Sequence, residues 1–240
     1  MTKKLVDQSD HPNVVQITEA LLQKFGRETL GNRQDPLEEL FFILLSSKTP
    51  PDRYQEVFHV LSTVYPAFED LVEAHWQDVA QVVVRAGLQN RKAKAIVSIA
   101  KRLKSEFGRV TLDPISKFPN EEAERFLVSL PEVSKKSARC VLMYALNRPL
   151  FPVDSHCFRI SRRLGWSSQD TQLTSLLADE IQNGVPENLR RDLHVGMVLL
   201  GRHYCTSTNP RCTECPILRF CPTGLKNAEF QIGNAGGLKT

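Results

Sequence analysis

The chain has 240 residues, which is enough for one large domain or two small ones with a substantial buried core. Its 41% hydrophobic and 24% charged residues are typical of a soluble globular protein, and the net charge of +4 is compatible with a polyanionic partner. No stretch approaches the roughly 20 apolar residues of a membrane span, and Met1–Asp7 lacks the apolar core of a signal peptide. We therefore expect an intracellular protein, cytoplasmic if it is bacterial.

Apolar residues recur at helical spacing along most of the chain, and no convincing alternating strand pattern is present. Gly26, Gly87 and Gly165 end three of these segments, as glycine often does at helix C-termini. The pattern predicts an all-α fold of about ten short helices. In chain order they are Val15–Phe25, Glu38–Ser46, Tyr54–Tyr65, Val79–Ala86, Lys92–Phe107, Glu121–Leu130, Lys136–Leu146, Ser155–Leu164, Thr171–Ile181 and Leu189–Tyr204.

Four of the six cysteines crowd into one segment near the end of the chain, with the spacing C-x6-C-x2-C-x5-C. In a reducing compartment this pattern indicates a metal centre rather than disulfides. Zinc remains one alternative, but zinc sites usually contain two C-x2-C pairs and this segment has one. The wider gaps and the Cys-Pro ending favour an iron–sulfur cluster held by Cys205, Cys212, Cys215 and Cys221. The other two, Cys140 and Cys157, lie in apolar helical patterns and are predicted to be buried.

Three ordered motifs resemble the helix-hairpin-helix glycosylases of the endonuclease III type. The cysteine spacing matches their [4Fe–4S] cluster loop. Leu130–Ala138 (LPEVSKKSA) resembles their hairpin sequence LPGVGxKTA, and Val153–His156 (VDSH) resembles their VDTH. Weaker similarities are present at Leu44–Ser47 and Gly87–Lys94, so the resemblance extends over about residues 11 to 222.

The resemblance implies a two-lobed, all-helical fold and a structural [4Fe–4S] cluster on the four clustered cysteines. One lobe, residues 32–148, would be a helical barrel that contains the hairpin. The other would combine residues 1–31 with 149–224 and carry the cluster. Residues 225–240 contain three glycines and little hydrophobicity, and we expect a flexible tail.

The resemblance also implies a reaction, in which Lys136 and Asp154 align with the catalytic residues of the family. An unprotonated lysine amine attacks the sugar C1′, displaces the damaged base and forms a Schiff base that undergoes β-elimination. A carboxylate stabilises the positive charge that develops on the sugar. The residues alone, without the motif, favour a solvated or phosphate-binding lysine at Lys136. They are also compatible with Asp154 as a simple helix N-cap.

The target base must leave the helical stack, and a side chain must fill the gap. By resemblance, Lys48, Leu88 and Gln89 lie on the loops where such wedges are expected, although Lys48 replaces a glutamine of endonuclease III. Further DNA contacts are expected from Val133 and Ser134 of the hairpin. The basic candidates for phosphate contacts are Lys92, Lys94, Lys135, Arg139, Arg159, Arg162, Arg163 and Arg211.

Glu132 and Ser134 replace the two hairpin glycines of the family, which let backbone amides approach a phosphate. A carboxylate at Glu132 would repel a phosphate unless it turns away. Three consequences remain open at this point: a hairpin of another shape, a lower affinity for DNA, or a different partner.

The sequence favours a monomeric, nucleoid-associated DNA glycosylase and abasic-site lyase. Its partner would be duplex DNA with oxidised pyrimidines or abasic sites. A monofunctional mismatch or uracil glycosylase of the same superfamily is one alternative, but the adenine mismatch branch usually lacks the lysine that this chain has. A non-catalytic DNA-binding module with an iron–sulfur cluster is the alternative from another class, and an electron-transfer protein is a distant third.

Overall fold

The computed structural model describes residues 10–236, which contain α-helices joined by turns and short 3-10 segments, and no β-strand. The all-α prediction is confirmed. None of these helices combines the length and apolar content that a bilayer span requires. The helices are α1 Val14–Phe25, α2 Pro36–Ser46, α3 Pro51–Val64, α4 Trp76–Val82, α5 Gln89–Phe107, α6 Asn120–Val128, α7 Lys135–Tyr144, α8 Ser155–Leu164, α9 Ser175–Asn183, α10 Arg190–His203 and α11 Pro222–Gly236.

The chain divides into two compact units, one of which is Gly31–Arg148 with helices α2 to α7. Its centre is α2, where Leu40, Phe41, Phe42 and Leu45 are almost completely buried. The α2 helix begins sharply because the Asp35 carboxylate accepts hydrogen bonds from two backbone amides of the first turn, each 2.9 Å long. It packs against α3 and α7, so the hairpin helix α7 rests directly on the core of this unit.

The second unit consists of the residues up to Leu30 and those from Pro149 onward, with helices α1 and α8 to α11. Helix α10 packs against both α1 and α8. The approach of α1 to α10 requires a glycine, because a Cβ on Gly196 would lie 2.8 Å from the Cβ of Leu21. Cys157 is buried in this core, and Cys140 is buried in the other unit, as predicted.

Residues 225–236 of the predicted flexible tail are helical and form most of α11. Pro222 begins this helix, a position where its missing amide costs no hydrogen bond. Helix α11 packs against α8, and its Ala228 is buried. Tertiary packing therefore overrides the weak helical preference of this glycine-rich segment. The last residues of the predicted tail, 237–240, lie outside the described part of the chain.

Candidate functional site

The turn between α6 and α7 contains a residue with a left-handed backbone. Glu132 has φ 62°, a conformation that glycine adopts without strain and a residue with a Cβ does not. Its carboxylate turns toward α5, where it accepts a hydrogen bond from Arg91 Nε at 2.5 Å. The negative charge expected to repel a phosphate is therefore paired with a cation of the same unit.

The second replaced glycine, Ser134, has an extended backbone and is the N-cap of α7. Its hydroxyl accepts a hydrogen bond from the Ser137 amide at 3.2 Å, which is the ordinary role of serine before a helix. Val133 is 6% exposed, and its amide donates to Leu130 O at 3.3 Å. The side chain of Val133 therefore packs into the unit and leaves the exposed surface of the turn to its neighbours.

Lys136, the predicted nucleophile, is a half-buried residue in the first turn of α7. Unpaired backbone amides give a helix N-terminus a partial positive charge, which disfavours an ammonium group there. Its neighbour Lys135 lies 3.5 Å from Glu124 Oε1, and Arg139 donates from Nε to the other oxygen of Glu124 at 2.7 Å. Lys135 and Arg139 thus share one carboxylate of α6.

A fully buried carboxyl group, Glu39 of α2, lies within electrostatic reach of Lys136. It accepts hydrogen bonds from Asn32 Nδ2 at 2.5 Å and from the Arg33 amide at 2.7 Å. Burial raises the pKa of Glu39 to about 7. The two hydrogen bonds and the positive charges of Lys136 and Arg33 act in the opposite direction and lower it. Sequence analysis missed this group, although helical spacing places it on the same buried face as Phe42 and Ile43.

Lys92 was predicted to contact a phosphate, and the structure contradicts that role because its side chain is buried, with 5% exposure. Its Nζ lies 2.8 to 2.9 Å from four oxygen atoms of the same unit: Leu45 O, Ser47 O, Thr49 Oγ1 and Ala86 O. Burial lowers the pKa of Lys92 to about 8, so the group remains mostly charged at neutral pH. Arg139, 4% exposed, is likewise unsuited to a phosphate contact.

The residues predicted on the wedge loops are accessible. Lys48 lies just after α2, is exposed and has φ 54°. Leu88, the N-cap of α5, is 48% exposed and has φ 51°, and Gln89 begins the helix. The left-handed backbone of Leu88 is strained, and the exposure of its large apolar side chain to water is also unfavourable. These positions are therefore compatible with the predicted wedges.

In the second unit, Asp154 is the N-cap of α8, and its Oδ1 accepts a hydrogen bond from the Cys157 amide at 2.8 Å. The capping role considered for this aspartate is confirmed. Capping fixes the carboxylate at the start of α8, and this does not conflict with a second role in catalysis.

Cys205, Cys212, Cys215 and Cys221 line one cavity of the second unit. Three N–H groups point at their sulfur atoms: Arg163 Nη1 lies 3.0 Å from Cys205 Sγ, Gly224 N lies 3.2 Å from Cys221 Sγ, and Asn227 Nδ2 lies 3.8 Å from Cys212 Sγ. Burial and the neighbouring sulfurs raise the pKa of Cys215 to about 11. The group therefore ionises at neutral pH only beside a compensating positive charge.

Within residues 10–236, no three cysteine, histidine or carboxylate side chains converge as a single metal ion requires. One zinc ion binds its sulfur ligands at about 2.3 Å from a single centre. A [4Fe–4S] cluster is larger, because each thiolate binds a separate iron atom. The common cavity, the four thiols and the N–H donors fit such a cluster.

Two of the predicted phosphate-binding arginines instead contact the cysteine segment. Arg163 donates to Cys205 Sγ and to Thr206 O, and Arg159 donates from Nε to Cys205 O at 2.9 Å. Arg211 remains half exposed and donates to His203 O, the last residue of α10. These contacts stabilise the loop, and they leave Arg211 more accessible than Arg159 and Arg163.

The hairpin, the lysine after it and the cysteine segment together define a class of protein. Residues 7–186 match the HhH-GPD superfamily of base excision DNA repair proteins, and the chain belongs to that superfamily. It is an endonuclease III-like helix-hairpin-helix glycosylase, as the sequence predicted.

Two relatives and one solved structure extend over most of the chain. It is 26% identical to endonuclease III of Thermotoga maritima, over 92% of this chain and 98% of the relative. It is 29% identical to endonuclease III of Bacillus subtilis, over 80% and 83% respectively. The fold matches a non-covalent endonuclease III–DNA complex with a TM-score of 0.78 at 23% identity, over 90% of this chain and 97% of that one.

Proposed function

We propose that this glycosylase removes oxidised pyrimidines from duplex DNA and cleaves the resulting abasic site, with Lys136 as the nucleophile. The observation that carries the proposal is the position of Lys136 in the first turn of α7, directly after the hairpin. The partial positive charge of this helix end disfavours an ammonium and favours the neutral amine that attack requires. The endonuclease III relatives support the choice of reaction.

In the proposed reaction, the Lys136 amine bonds to the sugar C1′ as the bond from C1′ to the base breaks, and the base leaves with a proton. The ring-opened sugar then forms a Schiff base with the lysine, and β-elimination breaks the bond from C3′ to its phosphate. Asp154, anchored at the start of α8, would stabilise positive charge on the sugar.

The proposed partner is duplex DNA that contains damaged bases or abasic sites. Base excision from a duplex requires that the base be flipped out. We propose that the exposed Lys48 and Leu88 and the half-buried Gln89 contact the disturbed stack. Three residues are accessible enough to contact the DNA phosphate backbone: Lys135, Ser134 and Arg211. Lys92 and Arg139 are too deeply buried to do so.

We further propose that Cys205, Cys212, Cys215 and Cys221 hold a [4Fe–4S] cluster with a structural role. The cluster would supply the positive charge that keeps the four thiols ionised. The protein contributes the N–H donors that surround the sulfurs, from Arg163, Gly224 and Asn227.

The test is borohydride trapping of the protein on duplexes that carry thymine glycol, dihydrouracil, uracil opposite guanine, or adenine opposite 8-oxoguanine. We expect trapping on the two oxidised pyrimidines, its loss in Lys136→Gln, and slower base release in Asp154→Asn. Lys101→Gln, which removes an exposed lysine of α5, is the matched control and should trap like the unsubstituted protein.

The other outcomes are equally informative. Base release without trapping would contradict the lyase proposal and indicate the monofunctional alternative. Trapping that persists in Lys136→Gln would exclude Lys136 as the nucleophile. No release from any duplex by the folded, cluster-containing protein would contradict the proposed substrates and favour a non-catalytic DNA-binding module.

A further inference from the structure

One buried ammonium group connects the two loops that carry the exposed Lys48 and Leu88. The Lys92 side chain extends from the first turn of α5 and places Nζ 2.8 Å from Ala86 O, which lies before that helix. The same nitrogen lies 2.8 Å from Leu45 O and 2.9 Å from Ser47 O, at the end of α2. The group thus joins two segments that are distant in sequence.

Thr49 completes this connection. Its hydroxyl oxygen lies 2.9 Å from Lys92 Nζ and donates to Ala86 O at 2.5 Å. Lys92 Nζ therefore has four oxygen neighbours for the three protons of an ammonium. Because the site is 5% exposed, water does not readily replace these donors.

The oxygen acceptors of Lys92 belong to the backbone and side chains next to the two exposed residues, Lys48 and Leu88. Ser47 O and Thr49 Oγ1 flank Lys48, and Ala86 O precedes Gly87 and Leu88. Lys48 and Leu88 both have left-handed backbones, with φ 54° and 51°, and such conformations persist only when the surroundings impose them. Hydrogen bonds on both sides of Lys48, and the hydrogen bond that joins Ala86 to Lys92 across Leu88, provide that constraint.

We propose that Lys92 is a positioning residue, which holds the loops of Lys48 and Leu88 as one preformed surface that enters the damaged duplex. The inference rests on the proposed function, because it assigns these loops to the insertion step. It replaces the phosphate contact expected from the sequence with an internal role. Leu88 supplies an apolar side chain suited to stacking, and Lys92 fixes where that side chain is presented.

The test compares a step that requires insertion into a duplex with one that does not. Lys92→Met keeps the length of the side chain and removes its donors, and Lys101→Met on the same helix is the matched control. Thr49→Val removes the bridging hydroxyl with little change of volume. Base excision from duplexes, and Schiff-base trapping on an abasic site in single-stranded DNA, are measured for each variant. Fluorescence of 2-aminopurine placed opposite an uncleavable abasic analogue reports insertion directly.

We expect Lys92→Met to lower the maximal rate of duplex excision by roughly ten- to a hundredfold, the scale of a misplacement of about 1 Å. Thr49→Val should have a smaller effect in the same direction. Both should lose the 2-aminopurine signal and keep single-strand trapping within about twofold, since the nucleophile is not displaced. Lys101→Met should match the unsubstituted protein in all three assays.

Duplex excision by Lys92→Met within about twofold of the unsubstituted protein would overturn the proposal, because the effect expected of a misplaced wedge is larger. An equal loss of single-strand trapping would also overturn it, since it would show general disruption. If Lys92→Met does not fold, an unchanged 2-aminopurine signal in Thr49→Val would be the contradicting result. Failure of the proposed glycosylase function would give a different result from failure of the Lys92 proposal. In that case the unsubstituted protein would release no base, and its 2-aminopurine signal would still be measurable.

Discussion

In the cysteine segment, the functional groups come from one short stretch of chain, from Cys205 to Cys221, and they line one cavity. Around Lys92 and Glu39, the groups come from α2, α5, α7 and the loops between them, and they meet only because the helices pack. The first arrangement is therefore visible as a spacing in the sequence, whereas the second is not. The difference also predicts how each region fails when a group is removed.

The largest expected effect belongs to the cysteine segment, where Cys212→Ser removes one ligand of the proposed cluster. We expect loss of the visible absorbance of the cluster and a fall of several kcal/mol in the free energy of unfolding, because metal binding is part of the folding energy of such a segment. Hydrogen exchange should accelerate from Tyr204 through α11. Residues 31–148, which form a separate compact unit, should keep their protection.

Cys140→Ala is the matched control, since Cys140 is also buried but belongs to the unit without the cluster cysteines. It should retain the absorbance in full. A Cys212→Ser protein that is folded, free of cluster and undiminished in DNA binding would rule out a structural role for the cluster.

The next effect concerns the buried carboxyl of Glu39. Its folded-state pKa of about 7 lies above the ordinary value of 4.5, so the folded chain holds this proton more tightly than the unfolded chain. The contribution of Glu39 to the free energy of unfolding is fully present below about pH 4.5, and it is lost as the pH rises toward about 7. The loss amounts to at most about 3 kcal/mol in the free energy of unfolding.

Glu39→Gln should remove this pH dependence, because an amide does not titrate in the range. Urea unfolding between about pH 5 and about pH 8 measures the slope for the unsubstituted protein and the variant. Glu38→Gln changes the adjacent carboxyl, which is partly exposed, and should leave the slope in place. Identical slopes for Glu39→Gln and the unsubstituted protein would show that Glu39 does not carry a raised pKa.

The smallest effect is expected at the hairpin. Glu132→Gly relieves a left-handed backbone, which stabilises by about 1 kcal/mol, but it also loosens the unfolded chain and removes an exposed ion pair with Arg91. We expect the stability to change by less than about 1 kcal/mol. Duplex affinity should rise a few-fold at low salt, with a steeper salt dependence, because a negative charge is lost and Arg91 is released.

Glu132→Gln separates the two causes, since it removes the charge and keeps the side chain on the strained backbone. If charge limits affinity, both variants should bind more tightly in a fluorescence anisotropy titration. If neither does, the paired carboxylate already has no effect on DNA, and the ion pair with Arg91 is sufficient to neutralise it.

The hairpin was only partly predictable from the sequence. The replacement of two glycines left open whether the turn had changed its shape. The structure shows that Glu132 adopts the left-handed conformation and Ser134 becomes an ordinary helix cap. The sequence located the turn, but the direction of the Glu132 carboxylate depended on Arg91, a residue of another helix.

The all-α class, the hairpin followed by Lys136, Asp154 before α8 and the spacing of the four cysteines were all predictable from the amino-acid sequence. These features are local, because helical periodicity, caps and ligand spacing arise between residues close in the chain. Only the tertiary structure decided that Lys92 and Arg139 are buried, that Glu39 lies near Lys136, and that Arg163 binds the cysteine segment. Burial, and hydrogen bonds between distant segments, depend on which helix faces pack together. Because they set the charge state and role of each group, neighbouring residues in the sequence do not specify that charge or role.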